Sequence, residues 1–480
     1  MMPGGPTNPL GQLLSQFGSD VIVTDPNTLA GVNVDHRKLY QGRALALALP
    51  RSTEEVAKLL SLCQNLRIAV VPQGGNTGYC AAATPDDSGS QLVLSLRRMQ
   101  RIRRIEPANY SLVAEAGCVL YDVQQAALAA ERFFPLSLGS EGSCTIGGNL
   151  STNAGGLNVL RYGMTRELVL GLEVVLPGGR VLSNLSALRK DNTGYDLRQL
   201  FIGAEGTLGV ITAASLKLFA LPRVSATALV AVPTVHAAIN LLDALRAGSA
   251  DQINSFELLP QSALQLVARH LPEARLPLAD TSPWYALCEI TSTDRADPVQ
   301  DRMERVLGDA LECELVSDAV IAQNDRERSE FWYLRENIPE AQRRHGASLK
   351  HDVSIPIDQL AAFIDRAQAW LHANVPQALV VCYGHLGDGN LHFNLSAPEP
   401  QNVDSGKSLL AREDEIKRAL HDLVQEFSGS FSAEHGIGRH KVAELERYAD
   451  PLELELMHSI KRSFDPLGIM NPGKVLRSAP

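Results

Sequence analysis

Residues 381–395, VCYGHLGDGNLHFNL, constrain the local fold more than any other stretch of the chain. At both ends of this segment, apolar and other residues alternate as in half-buried strands. The Gly, Asp and Asn residues between the two ends favour a turn. A turn at this point folds the chain back and brings His385 and His392 together. The segment therefore predicts a hairpin that carries two neighbouring imidazoles.

A second histidine segment, FSAEHGIG, begins at residue 431 and adds Glu434 beside His435. Two imidazoles and one carboxylate, His385, His392 and Glu434, form a three-ligand set that leaves coordination positions open. The pattern predicts a catalytic divalent-metal site, for which zinc is the first choice and manganese or ferrous iron also fit. His435 lies beside this set without being needed as a ligand. The alternative is that each is an ordinary loop histidine.

Length and composition limit the remaining possibilities. A chain of 480 residues predicts two or three domains, and a net charge of −10 argues against nucleic acid as a partner. The seven cysteines never occur as C-x-x-C, which indicates reduced thiols. No apolar stretch is long enough to span a bilayer. Because no basic residue precedes Arg37, we expect no signal or transit peptide, and a bacterial cytoplasmic location with peripheral membrane association left open.

The sequence pattern of the chain changes near residue 221. Residues 41–221 contain short apolar runs punctuated by glycine, and one βαβ step near their start includes a helix capped by Ser52 or Thr53. Beyond Pro222, strands and helices alternate as in a ferredoxin-like sandwich, and an amphipathic helix is expected in the C-terminal tail. These patterns predict an α+β protein with a domain boundary near 221.

Three glycine clusters are candidates for binding a phosphate: residues 72–79, residues 135–156 and residues 201–212. In the first cluster, glycines let backbone N–H groups converge on an anion. The second contains so many Gly, Ser, Thr and Asn residues that we expect its backbone to surround a polar ligand. None fits G-x-G-x-x-G between a strand and a helix, which argues against a Rossmann site.

Five motifs in this order carry a family resemblance: PQGGNTG, TIGGNLSTNAGG, KDNTGYDLRQLFIGAEGTLG, GHLGDGNLH and SAEHGIG. The chain resembles the FAD-linked D-2-hydroxyacid dehydrogenases of the vanillyl-alcohol-oxidase superfamily over roughly residues 40–476. Within that family the motifs are most similar to the D-2-hydroxyglutarate dehydrogenase subfamily. D-lactate dehydrogenases and glycolate oxidase FAD subunits are further relatives.

The resemblance implies a PCMH-type FAD-binding domain of two subdomains at residues 1–221, with its core at 41–221. It also implies a ferredoxin-like, antiparallel-sheet cap at 222–459 that carries the metal site. A C-terminal helical segment, residues 460–480, would return to the FAD domain.

The resemblance also implies which residues hold FAD. Asn76 stands where some superfamily members have a flavin-linking histidine, so noncovalent FAD is expected. The implied cofactor-binding residues are Pro72, Gly74, Gly75, Asn76, Thr77, Gly78, Gly139, Gly142, Thr145, Gly148, Asn149, Thr152, Asn153, Gly155, Gly156, Glu205, Gly206, Ile211 and Asn471.

The chemistry expected of such a protein needs a hydride acceptor, a base and a carboxylate anchor. Flavin would accept the hydride, the metal would bind the substrate hydroxyl, and His435 would be the general base. The alternative for His435 is that it orients Glu434 or the flavin. Arg335, in an aromatic helical segment, is expected to bind a substrate carboxylate. The resemblance adds Lys350 for a second carboxylate and Asn394 as a donor to the substrate.

One departure from the family pattern concerns Pro339, which stands where related hydroxyglutarate enzymes have threonine. Proline has no side-chain donor, so D-lactate or another D-2-hydroxyacid stays open beside D-2-hydroxyglutarate. The expected electron acceptor is a protein such as electron-transfer flavoprotein, or a quinone. An oxygen-using oxidase and a glycolate-oxidase-like subunit are the alternatives to such a dehydrogenase. A homodimer is one expected assembly.

Overall fold

The computed structural model describes residues 8–278, 281–398, 400 and 402–477, which form two compact units. The first unit comprises the described residues of Met1–Gly156, Gly163–Leu221 and Glu434–Pro480. The second comprises the described residues of Leu157–Tyr162 and Pro222–Ala433. The chain thus rejoins the first unit at Glu434, earlier than the residue 460 that the sequence indicated.

The secondary structure mixes helices and strands along the whole chain. The helices are α1 (Pro9–Val21), α2 (Pro26–Val32), α3 (Thr53–Leu66), α4 (Leu120–Ala129), α5 (Ile146–Ser151), α6 (Val159–Tyr162), α7 (Arg198–Phe201), α8 (Val235–Gly248), α9 (Gln261–His270), α10 (Val299–Glu312), α11 (Asp325–Glu336), α12 (Ile338–His345), α13 (Leu360–Asn374), α14 (Val403–Leu410), α15 (Glu413–Glu426), α16 (Val442–Tyr448) and α17 (Pro451–Phe464). The strands are β1 (Ile22–Val23), β2 (Ala44–Ala48), β3 (Val70–Gln73), β4 (Gln91–Ser95), β5 (Ile102–Glu106), β6 (Ser111–Glu115), β7 (Arg132–Phe133), β8 (Val169–Val175), β9 (Val181–Asn184), β10 (Val210–Lys217), β11 (Phe219–Ala220), β12 (Val224–Val232), β13 (Ile253–Pro260), β14 (Trp284–Ser292), β15 (Asp318–Ile321), β16 (Ser348–Leu349), β17 (Asp352–Ser354), β18 (Leu379–His385) and β19 (Asn390–Ser396).

The first unit contains the predicted βαβ step. Strands β2 and β3 both run parallel to β4 in the sheet β1-β2-β4-β3, and α3 connects β2 to β3. The predicted cap is present: the Ser52 hydroxyl accepts a 3.2 Å hydrogen bond from the Glu55 N–H. Helix α3 buries Val56, Leu59 and Leu60 completely in the core of this unit. A separate antiparallel sheet has the order β5-β6-β10-β8-β9.

The second unit is built on one antiparallel sheet with the order β15-β12-β14-β13-β18-β19-β16, and β17 also pairs with β19. Its first four strands, β12 to β15, alternate with helices α8 to α10 and have the predicted ferredoxin-like arrangement. Strands β18, β19 and β16 extend that sheet beyond the prediction. The α+β class predicted from the sequence is confirmed.

The hairpin predicted at residues 381–395 is also confirmed. Strands β18 and β19 pair antiparallel, with Tyr383 opposite His392, and a 3₁₀ turn at Leu386–Asp388 joins them. Gly389 ends this turn at φ +81°, and a Cβ there would lie 2.3 Å from the Ile355 carbonyl oxygen. Only glycine fits this position without strain.

Two further expectations concern cysteines and the C-terminal tail. All seven cysteines are free thiols, and only Cys313 is exposed. The amphipathic tail helix is α17. Within the described ranges, no helix combines the length and the hydropathy needed to cross a bilayer.

Candidate active site

The first unit contains a cleft of about 980 Å³, part of which is open to solvent. Its walls come from the loop after β3, the start of α5 and the turn before β10. Thirteen of the predicted cofactor residues line it: Pro72, Gly74, Gly75, Asn76, Thr77, Gly78, Thr145, Gly148, Asn149, Thr152, Glu205, Gly206 and Ile211.

Six predicted cofactor residues are outside this lining: Gly139, Gly142, Asn153, Gly155, Gly156 and Asn471. Some have other contacts. The Asn153 side-chain oxygen accepts from the Arg166 N–H at 2.9 Å. The Asn471 amide donates to the carbonyl oxygens of Ala82 and Glu205, and so supports the cleft wall.

The cleft has features of a site for a polar ligand held against the backbone. Thr145 Oγ1 and Asn149 Nδ2 are buried and have no hydrogen-bond partner among the described residues. A ligand with polar groups would satisfy them. A Cβ at Gly74 would lie 2.5 Å from Thr145 Oγ1, and one at Gly75 would lie 2.1 Å from the Ser143 carbonyl oxygen. The two loops therefore approach each other as closely as glycine allows.

Glu205 connects this cleft to the segment that follows His435. Its carboxylate accepts hydrogen bonds from the N–H of Ile437 at 2.7 Å and of Gly438 at 2.8 Å. Burial raises the pKa of Glu205 to about 7, although these hydrogen bonds and the charge of Lys441 act in the opposite direction. The family resemblance implied that Glu205 binds FAD; Glu205 lines the cleft, and its carboxylate also holds the loop that follows His435.

His435, which the sequence analysis assigned as the general base, is half-buried and lines the cleft. The ring of Tyr79 packs edge-on against it, with centroids 4.7 Å apart. Cys80, which the sequence analysis did not single out, also lines the cleft and donates to the Gly436 carbonyl oxygen at 3.3 Å. Its position directly after the first glycine cluster was a signal for this.

In the second unit, the hairpin brings the two predicted imidazole ligands together. The ring centroids of His385 and His392 are 5.6 Å apart. His385 Nδ1 is hydrogen-bonded to the carboxylate of Glu257, which lies directly opposite it on β13. His392 Nδ1 lies 3.8 Å from the carboxylate of Asp352. A histidine that is hydrogen-bonded to a carboxylate, as His385 is, is typical of metal sites.

Arg335 belongs to the same cluster in the second unit. Its Nε donates to the other oxygen of Glu257 at 2.5 Å, and its guanidinium lies 4.8 Å from the centre of the Tyr383 ring. Burial opposes ionisation of Glu257, but the positive charges of Arg335 and His385 outweigh it and hold the pKa of this carboxyl below its ordinary value. Glu257 was missed in the sequence, where its one signal was a lone carboxylate in the apolar strand INSFELLP.

The remaining predicted substrate residues differ in exposure. Lys350 is exposed directly after β16. Asn394 is buried: its amide donates to Gln342 at 3.0 Å and accepts from the His351 N–H at 3.3 Å. These contacts hold the Asn394 side chain within the second unit. Pro339 lies in the first turn of α12.

Glu434, the third predicted metal ligand, is the first residue of the returning segment of the first unit. Its carboxylate accepts a 3.0 Å hydrogen bond from the Gly156 N–H. A Cβ at Gly155 would lie only 2.7 Å from the same carboxylate oxygen. The preceding residue, Ala433, donates its N–H to the Asp352 carbonyl oxygen of the second unit, to which Ala433 belongs.

Comparisons with known proteins identify two matching domain families. Residues 44–184 match the FAD binding domain, and residues 221–475 match the C-terminal domain of FAD linked oxidases. The prediction of FAD as a cofactor is therefore confirmed.

Similar proteins match nearly the whole chain. A mitochondrial D-2-hydroxyglutarate dehydrogenase of Arabidopsis thaliana is 38% identical over 96% of this chain and 80% of its own length. A D-2-hydroxyglutarate–pyruvate transhydrogenase of Saccharomyces cerevisiae is 36% identical over 94% of this chain and 90% of its own length.

Among solved structures, p-cresol methylhydroxylase with bound substrate shares the fold. It superposes with a TM-score of 0.73 at 18% identity, covering 98% of this chain and 96% of that one. The PCMH-type fold predicted from the sequence is confirmed by this similarity.

Proposed function

Because the chain belongs to the FAD-linked oxidase family that includes D-2-hydroxyglutarate dehydrogenases, we propose that it oxidises a D-2-hydroxyacid to the 2-oxoacid, with D-2-hydroxyglutarate as the first candidate. The observation that carries this proposal is His435 in the wall of the cleft. An imidazole titrates near neutral pH and is a common general base. His435 would take the proton of the substrate hydroxyl as the substrate is oxidised.

FAD fits the cleft of the first unit. The close approach at Gly74 and Gly75 exposes backbone to a ligand, and Thr145 Oγ1 and Asn149 Nδ2 are available to its polar groups. When bound, FAD supplies the hydride acceptor of the reaction. Because Asn76 cannot form the covalent flavin link of a histidine, the cofactor would be held noncovalently.

A divalent metal on His385, His392 and Glu434 is the second part of the proposal. The two imidazoles are neighbours in the second unit, and the donor set of two His and one Glu suits zinc, with manganese and iron as alternatives. The metal would polarise the substrate hydroxyl as a Lewis acid. Because Glu257 engages His385 Nδ1, Nε2 is the nitrogen that would bind the metal.

Arg335 and Lys350 are the proposed anchors for the substrate carboxylates. Arg335 is buried, and Tyr383 and Glu257 fix its position. A fixed guanidinium is suited to bidentate recognition of a carboxylate. The exposed ammonium of Lys350 would bind the second carboxylate of a dicarboxylic substrate. Pro339 offers no side-chain donor. Binding of the second carboxylate would therefore depend more on Lys350 here than in enzymes that have threonine at this position.

The proposed electron acceptor is electron-transfer flavoprotein or a quinone. A second candidate comes from the yeast relative, whose name specifies transfer between D-2-hydroxyglutarate and pyruvate. On that candidate, a second 2-oxoacid would bind the same anchors and reoxidise the flavin. Adding pyruvate to the reduced protein without oxygen would distinguish the two acceptors.

The visible spectrum of the purified protein under anaerobic conditions tests the proposed reaction. D-2-hydroxyglutarate, D-lactate and their L-isomers would be added separately, before and after treatment with a chelator. We expect a D-acid to bleach the flavin, the chelator to abolish bleaching, and added zinc or manganese to restore it. Flavin that no 2-hydroxyacid reduces would contradict the proposed dehydrogenase, and bleaching unaffected by the chelator would contradict only the metal.

A further inference from the structure

We propose that Glu257 is a positioning residue that connects the metal ligand His385 to the carboxylate anchor Arg335 through its two carboxylate oxygens. This inference rests on the proposed function, because it assumes the metal and the anchor. The role follows from contacts within the second unit.

The register of the sheet brings Glu257 to this position. Strands β13 and β18 pair antiparallel, and Glu257 lies directly opposite His385. Its side chain is completely buried. Oε1 accepts from His385 Nδ1, and Oε2 accepts from Arg335 Nε at 2.5 Å. A buried carboxylate needs such partners, and here both are residues with proposed roles in the reaction.

The contact with His385 would determine which nitrogen binds the metal. A carboxylate that accepts from Nδ1 keeps the proton on that nitrogen, so the lone pair is on Nε2. It also orients the ring and increases the basicity of the ligand. An amide in place of the carboxylate would lose the charge that stabilises this arrangement.

The contact with Arg335 would set the direction of its guanidinium. Glu257 holds the guanidinium at Nε while Tyr383 lies against its face. The planar fork of arginine recognises a carboxylate only when it points at it, so its orientation affects substrate binding. The same substitution at Glu257 should therefore weaken both metal and substrate binding.

The second unit contains a matched control. Glu289, on the neighbouring strand β14, is also buried and binds Arg328 of α11, the helix that carries Arg335. Its carboxylate accepts from Arg328 Nε at 2.7 Å and from Trp332 Nε1 at 3.2 Å. Among the described residues, the hydrogen-bond partners of Glu289 are Thr227, Arg328 and Trp332. Glu289→Gln thus removes the ion pair of a buried carboxylate with a partly exposed arginine, a pair that includes no histidine.

The experiment compares the wild-type holoenzyme with Glu257→Gln, Glu257→Asp and Glu289→Gln. Each protein is stripped with chelator and titrated with zinc by calorimetry, the wild-type protein also with manganese, and KM and kcat for D-2-hydroxyglutarate are then measured. For Glu257→Gln we expect zinc binding to weaken by about 10- to 100-fold and KM to rise by about tenfold. Glu257→Asp keeps the charge and should recover part of both losses. Glu289→Gln should leave zinc affinity and KM unchanged.

Four outcomes would oppose the proposals in different ways. Wild-type zinc affinity and KM in Glu257→Gln would overturn the role of Glu257 while leaving the proposed function intact. Equal losses in both glutamine variants would show that Glu257 has only a structural role. Absence of zinc and manganese binding by the wild-type protein would contradict the metal in the proposed function itself. If Glu257→Gln does not fold, wild-type values in Glu257→Asp would overturn the inference.

Discussion

The carboxylate of Glu205 accepts a 2.7 Å hydrogen bond from the backbone N–H of Ile437, although the two residues are 232 positions apart in the chain. This contact fixes the segment that follows His435 against the turn before β10 within the first unit. The position of His435 in the cleft therefore depends on a buried acid that does not itself need to meet the substrate.

The ionisation of Glu205 should make the stability of the first unit depend on pH. Its folded pKa is raised from 4.5 to about 7, so its contribution to stability is full below about pH 4.5 and is lost as pH rises through about 7. We expect the free energy of unfolding to fall by up to about 3 kcal/mol over this range. Urea denaturation at several pH values, compared with Glu205→Gln, measures this. The same slope in both proteins would contradict the assignment.

His435→Asn should separate flavin binding from chemistry. The variant keeps a polar side chain in the cleft wall, so we expect normal FAD absorbance. Loss of the base should slow anaerobic flavin reduction by about 10²- to 10⁴-fold. Stopped-flow absorbance with D-2-hydroxyglutarate measures the rate. His440→Asn is the control, because His440 is in the same segment but pairs with the Tyr40 hydroxyl at 2.8 Å. Equal rates in both variants would argue against His435 as the base.

Gly75→Ala should lower the FAD content of the purified protein. Its Cβ would lie 2.1 Å from the Ser143 carbonyl oxygen, so the two loops of the cleft would have to separate. We expect the substitution to cost about 1–3 kcal/mol. The ratio of flavin to protein absorbance reports the loss. Gly31→Ala, in helix α2 with open space around the added methyl, is the control. Full FAD occupancy in Gly75→Ala would show that the loops can adjust.

The local elements of both candidate sites could be predicted from the sequence, because they depend on short-range patterns. The alternation and glycines of residues 381–395 predicted the hairpin, and with it the proximity of His385 and His392. Glu257 could not be found in this way. It reaches His385 only through the pairing of β13 with β18, which a sequence does not specify over 128 positions.

The contacts of the predicted substrate-binding side chains could not be predicted from the sequence either. Asn394 was expected to donate to the substrate, and its side chain also donates to Gln342 and accepts from the His351 N–H. Arg335 was expected to bind a carboxylate of the substrate, and its Nε donates to the carboxylate of Glu257. A motif gives the residue type at a position, whereas the direction of its side chain depends on packing between distant segments.

His392→Gln should remove the metal without removing the flavin. His392 lies in the second unit, whereas every residue that lines the flavin cleft lies in the first. We expect zinc affinity to fall by more than about 100-fold while visible absorbance stays at the wild-type level. Metal analysis and a spectrum of the same sample measure both. His372→Gln, an exposed histidine of α13, is the control. Loss of flavin together with the metal would contradict the expectation that the two bind independently of each other.

Lys350→Ala should change substrate preference rather than overall activity. The proposed role of Lys350 is to bind the second carboxylate, which D-2-hydroxyglutarate has and D-lactate lacks. A charge-assisted hydrogen bond contributes about 1.5–3 kcal/mol, so we expect kcat/KM for D-2-hydroxyglutarate to fall by about 10- to 100-fold. The value for D-lactate should stay unchanged, which makes that substrate the internal control for folding and flavin content. Equal losses for both acids would show that Lys350 does not bind the second carboxylate. Because Pro339 cannot supply a donor, another cation of the second unit would then have to bind that carboxylate.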